Sequence, residues 1–288
     1  MSRASSNNQH FIVTSSLMNK ITILGSGTST GVPILGCKCA VCQSNDPRNK
    51  RLRTSALLET QNKKTILIDA APDLRTQLLS TKTQTLDAVI ITHDHADHTH
   101  GMDDIRPFTF GRSEPLHVFT DQHSADSLTQ KFPYIFQRKK IFADKPIIGG
   151  GIPLLDLQVI KNGEETIVDE RFFFHSLPHG HGDSLCLRHE KLGYIIDCRK
   201  VPSPVLKSFS DAKLEILIID CLRYHPHQTH LHLDLTLEYI EAISPKMAVL
   251  THMGHEMDYL DLTHQLRKRG IKNVFPAIDG QSFLYSKA

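Results

Sequence analysis

No apolar run in the sequence approaches the roughly 18 residues that a membrane-spanning helix needs, so no bilayer segment is expected. Nor is there an excess of one charge: 33 Lys and Arg stand against 31 Asp and Glu, a formal net charge of +2. That balance argues against a surface built to coat nucleic acid, while leaving room for a local basic groove. The first residues do not read as a secretory signal. Residues 1–18, MSRASSNNQHFIVTSSLM, are rich in Ser and Asn and have no apolar core. The expectation for them is a disordered leader, and for the protein a cytoplasmic location. Without a secreted context, the even count of six cysteines does not argue for disulfides. No low-complexity linker divides the chain after residue 19, so 19–288 reads as a single domain, long enough to bury a sizeable core.

What is present is an alternation of short strands and helices. Runs rich in Ile, Val, Leu or Phe recur at 20–24, 55–59, 65–69, 87–91, 116–120, 171–175, 192–197, 215–220 and 246–252. Helical patterns lie at 72–80, which opens on Pro, at 233–244, and at 258–270, which begins with Asp and stops at Gly. Such alternation predicts α/β layering. A weak internal echo runs through it: ILID, YIID and LIID end on Asp69, Asp197 and Asp220, and VIITHDH resembles AVLTHMGH. Polar residues that follow buried strands emerge at strand ends, where open α/β sheets place their sites.

The densest chemistry is HDHADH at 93–98. Neutral imidazole and carboxylate are the usual ligands of zinc and similar ions. One rigid turn does not easily aim His93, His95, Asp97 and His98 at a single ion. Two pairs, His93 with His95 and Asp97 with His98, can instead face two adjacent ions. A second cluster, GCKCAVC at 36–42, places Cys37, Cys39 and Cys42 in a C-x-C-x₂-C spacing that needs a fourth ligand from elsewhere. Cys186, Cys198 and Cys221 sit in apolar runs and read as buried thiols.

HDHADH resembles the H-x-H-x-D-H signature of the metallo-β-lactamase fold hydrolases, and the resemblance continues through an ordered series of motifs to residue 288. It implies a four-layer αβ/βα sandwich. It also implies two divalent ions, zinc or manganese: one held by His93, His95 and His179, the other by Asp97, His98 and His252, with Asp197 spanning both. LPHGHGDS offers His181 as a rival to His179, and the family pattern, with Ser184 and Arg188 in place, fits His179 better. Asp69 is implied to orient a ligand. Asp220 reads no further than a strand-end cap.

The Cys triad, the second histidine of THMGH, GSGTSTGVPILGC and GMDDIRPF look like a narrower branch, that of the phosphoribosyl cyclic phosphate phosphodiesterase of phosphonate degradation. This implies a structural zinc on Cys37, Cys39, Cys42 and His255. It implies hydrolysis of a small, anionic, perhaps cyclic phosphodiester by a hydroxide shared between two ions. Asp97 and His230 are the expected catalytic side chains, with His227 the alternative to His230 as proton donor. The family often pairs, so a homodimer is an expectation of the resemblance. A tRNA 3′-processing nuclease shares the core but would carry a basic arm that is not evident here. A thioesterase or lactonase shares the ligands but leaves the Cys triad unexplained. The basic runs at 47–53 and 137–140 read mainly as solvated surface, the first with the option of lining a phosphate approach, and Arg75 and Arg106 as partners in local ion pairs.

Overall fold

The computed structural model describes residues 18–142 and 151–288. The leader assigned to 1–18 therefore lies, but for Met18, outside the described residues. The chain first lays down β1 (Asn19–Gly25), β2 (Ser55–Glu59), β3 (Thr65–Ile68), β4 (Ala88–Ile90), β5 (Leu116–Thr120) and β6 (Leu155–Val159). It then forms β7 (Gly163–Ile167), β8 (Glu170–His179), β9 (Gly182–His189), β10 (Leu192–Ile195), β11 (Ile216–Asp220), β12 (Met247–Thr251) and β13 (Val274–Pro276). A last strand, β14 (Ser282–Tyr285), returns to the edge of the first group beside β1. The result is two seven-stranded sheets, ordered β14-β1-β2-β3-β4-β5-β6 and β13-β12-β11-β10-β9-β8-β7.

Each sheet is antiparallel on one side and parallel on the other, with β3 to β6 parallel in the first and β10 to β13 parallel in the second. Alternation along the strands explains the layering. Ile66, Ile68 and Ile90 share one core cluster with Phe172, Phe174 and Tyr194 of the other sheet, whereas Leu67, Val89 and Val118 pack with Leu74 and Leu128 of helices. Successive side chains thus serve a sheet–sheet core and a sheet–helix core in turn. Helices α1 (Ala40–Gln43), α2 (Leu74–Ser80), α3 (Ala96–Thr99), α4 (Gln122–Lys131), α5 (Pro133–Phe136) and α6 (Arg138–Phe142) belong to the first half; α7 (Ser203–Asp211), α8 (Leu233–Ile243) and α9 (Tyr259–Lys268) belong to the second. This is the αβ/βα sandwich expected from the sequence. No helix among the described residues is long and apolar enough to cross a membrane.

The strand read at 171–175 is longer than the sequence suggested. It runs to His179 and turns through Gly180 and His181 straight into β9, a strand the sequence did not announce. Gly180 takes φ +56°, the left-handed conformation that a two-residue hairpin loop requires.

Candidate metal centre

The site grows from strand ends. Asp69, Asp197 and His252 each follow a parallel strand, β3, β10 and β12, by one or two residues, and all three adopt a left-handed backbone (φ +64°, +48° and +57°). Residues with a Cβ pay for that conformation, and such strain gathers at functional sites. The shared turn accounts for part of the echo in the sequence, at Asp69 and Asp197; Asp220, the third aspartate of that echo, ends β11 without it.

Hydrogen bonds hold these imidazoles in place. Buried Asp69 accepts from Thr92 N at 2.8 Å and from His98 Nδ1 at 2.8 Å, which turns His98 Nε2 toward Asp197. His179 Nδ1 donates to the Thr229 carbonyl at 3.0 Å, which frees its Nε2. Thr54 gives its hydroxyl hydrogen to Gly27 O and accepts from His252 Nδ1 at 2.9 Å.

These atoms converge. Donor atoms of His93, His95, His179 and Asp197 lie within 4.8 Å of one another, as do those of Asp97, His98, Asp197 and His252. Asp197 belongs to both groups: its Oδ2 is 3.6 Å from His93 Nε2, 3.4 Å from His98 Nε2 and 3.7 Å from His179 Nε2. Yet His93 Nε2, Asp97 Oδ2, His98 Nε2 and Asp197 Oδ1 make no hydrogen bond although buried. An unpaired buried polar atom costs about 1–3 kcal/mol. Four in one cluster, two of them (His98 Nε2 and Asp97 Oδ2) 3.1 Å apart without a hydrogen bond, fit two cations sharing a carboxylate.

Electrostatics agree. Burial drives His93, His179 and His252 toward the neutral form that binds metal. Burial also opposes charge on His98 and on Asp97 and Asp197. Here mutual attraction wins, raising the imidazole and lowering both carboxyls. Asp97, Asp197 and Asp69 around one ring call for positive charge.

A second constellation lies beside the first. His255 Nδ1 is 3.3, 3.5 and 3.7 Å from the sulfurs of Cys37, Cys39 and Cys42. A tetrahedron with zinc–sulfur bonds of about 2.3 Å and a zinc–nitrogen bond of about 2.0 Å has S···N edges of about 3.5 Å, so the donor set fits one ion. The Cys42 N–H pointing at its sulfur helps bring Cys39 down to about 6, while burial pushes Cys42 up to about 11. Cys186, Cys198 and Cys221 are buried, their thiols pushed up by burial, as expected of small hydrophobes.

At the centre's mouth stands His230. Its Nδ1 is 3.2 Å from the carboxylate of Asp220, which is fully buried at the end of β11. Burial disfavours the imidazolium, but Asp220, Asp197 and Asp97 outweigh it and raise His230 to about 9. The ring stacks on His252 at 4.9 Å and meets the edge of His179 at 4.9 Å. Asp220 is therefore more than a strand-end cap: it orients His230. His227 lies one ring further out, 5.2 Å from His230. Beyond it opens a cleft of about 480 Å³ lined by Gly180, His181, Arg199, His227, Gln228 and Thr229, with no carboxylate in its wall. His181, exposed there, stands outside the donor groups, and His179 is inside.

Two readings of basic residues are corrected. The run at 47–53 is solvated surface only in part, with Pro47 and Lys50 exposed. Asn49 and Arg51 are buried, and Arg53 pairs with Asp73 at 2.8 Å. Arg106 donates to the Gly151 carbonyl at 3.4 Å, and among the described residues neither it nor Arg75 forms an ion pair. Asp94, passed over within HDHADH, accepts from Lys131 and Ser127 of α4 and ties the turn to that helix. Its place between two histidines was the available signal. For Thr54 and Thr28, 2.9 and 3.2 Å from the His252 ring, the sequence held none.

A β-lactamase superfamily domain model matches residues 64–253. The crystal structure of a diphosphatase from the PhnP family superposes with a TM-score of 0.84 at 30% identity, covering 94% of this chain and 99% of that one. Zn(2+)-bound PqqB from Methylobacterium extorquens shares the fold at 16% identity, with a TM-score of 0.71 over 92% of this chain and 99% of that one. Among curated proteins, an octanoyltransferase of Porphyromonas gingivalis is 34% identical over 235 residues, 81% of this chain and 45% of that protein. The chain spans under half the length of the curated relatives it matches.

Proposed function

The chain belongs to the β-lactamase superfamily, in the branch of the PhnP-family proteins, and from that premise we propose that it is a dinuclear metal-dependent phosphodiesterase acting on a small anionic phosphodiester. The observation that carries the reading is the pair of four-donor groups sharing buried Asp197. His93, His95 and His179 would hold one ion, Asp97, His98 and His252 the other, and Asp197 both. Cys37, Cys39, Cys42 and His255 would hold a structural zinc. Ions so held supply a water that ionises near neutral pH and positive charge for the phosphoryl oxygens.

The protein's own groups do the rest. The cleft beyond His227 offers Arg199 and imidazole N–H groups to an anion and opposes it with no carboxylate. Asp97 keeps its charge in a buried setting, as a ligand of the second ion requires. His230, held by Asp220, stands where it can hand a proton to the departing alkoxide, and Asp220 balances the charge it carries before doing so. The PhnP-family diphosphatase, a relative that acts on phosphorus, supports this substrate class over a thioester or lactone. Acyl transfer is the second reading, favoured by the octanoyltransferase match, although that match covers under half of that protein. Bis(p-nitrophenyl) phosphate, a cyclic ribose phosphate, an octanoyl thioester and a precursor tRNA, assayed side by side with and without chelator, separate the readings. Chelator-sensitive turnover of the first two is expected. Turnover of the thioester or tRNA alone would overturn the proposal.

A further inference from the structure

Arg51 lies in the run NKRLRT and is 2% exposed. Its neighbours Arg48 and Arg53 pair with Asp46 and Asp73. Arg51 instead spends its guanidinium on carbonyl oxygens, donating to Gly254 O at 3.1 Å and to Met257 O at 2.6 Å, while Asn49 Oδ1 accepts from it at 3.2 Å. Burying a cation without a carboxylate is costly, so these bonds have a demanding job. Both carbonyls belong to the turn that carries His252 and His255. The backbone of Arg51 faces the other way: its N–H donates to Val32 O at 2.7 Å and its carbonyl accepts from Val32 N at 2.9 Å. Two residues on, Ile34 N donates to Cys42 Sγ at 3.3 Å. One residue therefore grips the thiol loop with its main chain and the imidazole turn with its side chain.

We propose that Arg51 is a positioning residue that registers these two segments. It would set His255 against the three thiols and, through the same turn, His252 against Asp197, so that the structural and dinuclear sites are tuned by one buried fork. The inference rests on the metal-centre reading above. Guanidinium geometry is what the task needs, because a lysine ammonium is a point donor and does not span two carbonyls in a plane.

The test uses the full chain loaded with zinc, and separately with cobalt(II), whose thiolate charge-transfer bands report the Cys37–Cys39–Cys42 site alone. Arg51→Lys and Arg51→Gln are compared with Phe209→Leu, a core change in α7 chosen to cost a similar Tm. In the Arg51 variants, zinc affinity by chelator competition is expected to fall about tenfold or more at both sites, with the thiolate bands shifted, while Phe209→Leu keeps wild-type values. Wild-type affinities and bands in whichever Arg51 variant folds would overturn the inference, as would equal losses in Phe209→Leu. Should neither Arg51 variant fold, Val32→Pro, which removes the N–H donated to Arg51 O together with the valine side chain clustered with Cys42, is compared with Val32→Ala, which removes the side chain alone; the thiolate bands are expected to shift more in the proline variant, and equal or unchanged bands would overturn it too. A wild-type protein that binds no metal at the thiols would instead bring down the metal-centre reading, and this inference with it.

Discussion

The most informative single residue is His230. Its aspartate partner is buried at the end of β11, its face rests on His252, and its edge meets His179. A general acid contributes about 10²–10⁴-fold. His230→Ala is accordingly expected to lower kcat on a phosphodiester with a poor leaving group by that order, with metal content and Tm unchanged. With p-nitrophenolate, which leaves without a proton, the loss should shrink. Equal losses on the two substrates would remove His230 from the proton path. Arg199→Ala should act differently, raising KM for an anionic substrate several-fold with little change in kcat, since the cleft wall binds rather than reacts. Residues of this kind were partly legible. His93, His95, Asp97, His98 and the three cysteines announced themselves because metal chemistry concentrates donors in a few adjacent positions. Arg51, Thr54 and Asp279 did not. Their partners lie about two hundred residues away and are often backbone groups, which carry no residue signature.

Among the elements, the turns after strands decide the site, and the segment 49–54 decides the turns. Asp69 shows how. It touches no substrate space, yet it turns the ring of His98 and holds Thr92. Asp69→Asn is expected to weaken the second ion about 10–100-fold, measured by chelator competition, while the thiol site is spared. Cys39→Ser should do the reverse and then some: the structural zinc goes first, and turnover falls because His252 and His255 share one turn. Normal kcat in a preparation shown to lack that zinc would break this coupling. Asp279 joins three segments, accepting from Ser26 N, Ser26 Oγ and Leu52 N. Burial raises its carboxyl from 3.8 to about 6, against those bonds. An acid raised on folding lends stability below its unfolded pKa and loses it as pH climbs through the folded one. The stability of wild type relative to Asp279→Asn should therefore decline by about 2 kcal/mol between pH 4 and pH 7, read from urea melts. A flat difference would show the carboxyl to be unperturbed. The sequence placed most strands, because β-branched runs are unambiguous. It missed β6, β7, β9, β13 and β14, which are short or mix polar and apolar residues and become strands by pairing with a neighbour already in place.

For the whole molecule, the donor set is divided between halves. His93, His95, Asp97 and His98 come from the loop after β4 in the first sheet, and His179, Asp197 and His252 from strand ends of the second. Ions held by this set would therefore tie the sheets together as well as serve chemistry. Ligand at about a thousand times its Kd stabilises a fold by about 4 kcal/mol, so chelation should lower Tm by several degrees and increase hydrogen exchange along the edge where the sheets' parallel strands end. Unaltered melting after complete removal of the ions would mean that protein packing alone fixes the edge. The left-handed turns at Asp69, Asp197 and His252 carry a last implication. At these three positions glycine is what the main chain would choose, and only the chemistry of the side chain stands against it. A laboratory population selected for heat tolerance in chelator, where bound ions lend the fold nothing, should acquire glycine there repeatedly and become sturdier as it goes silent.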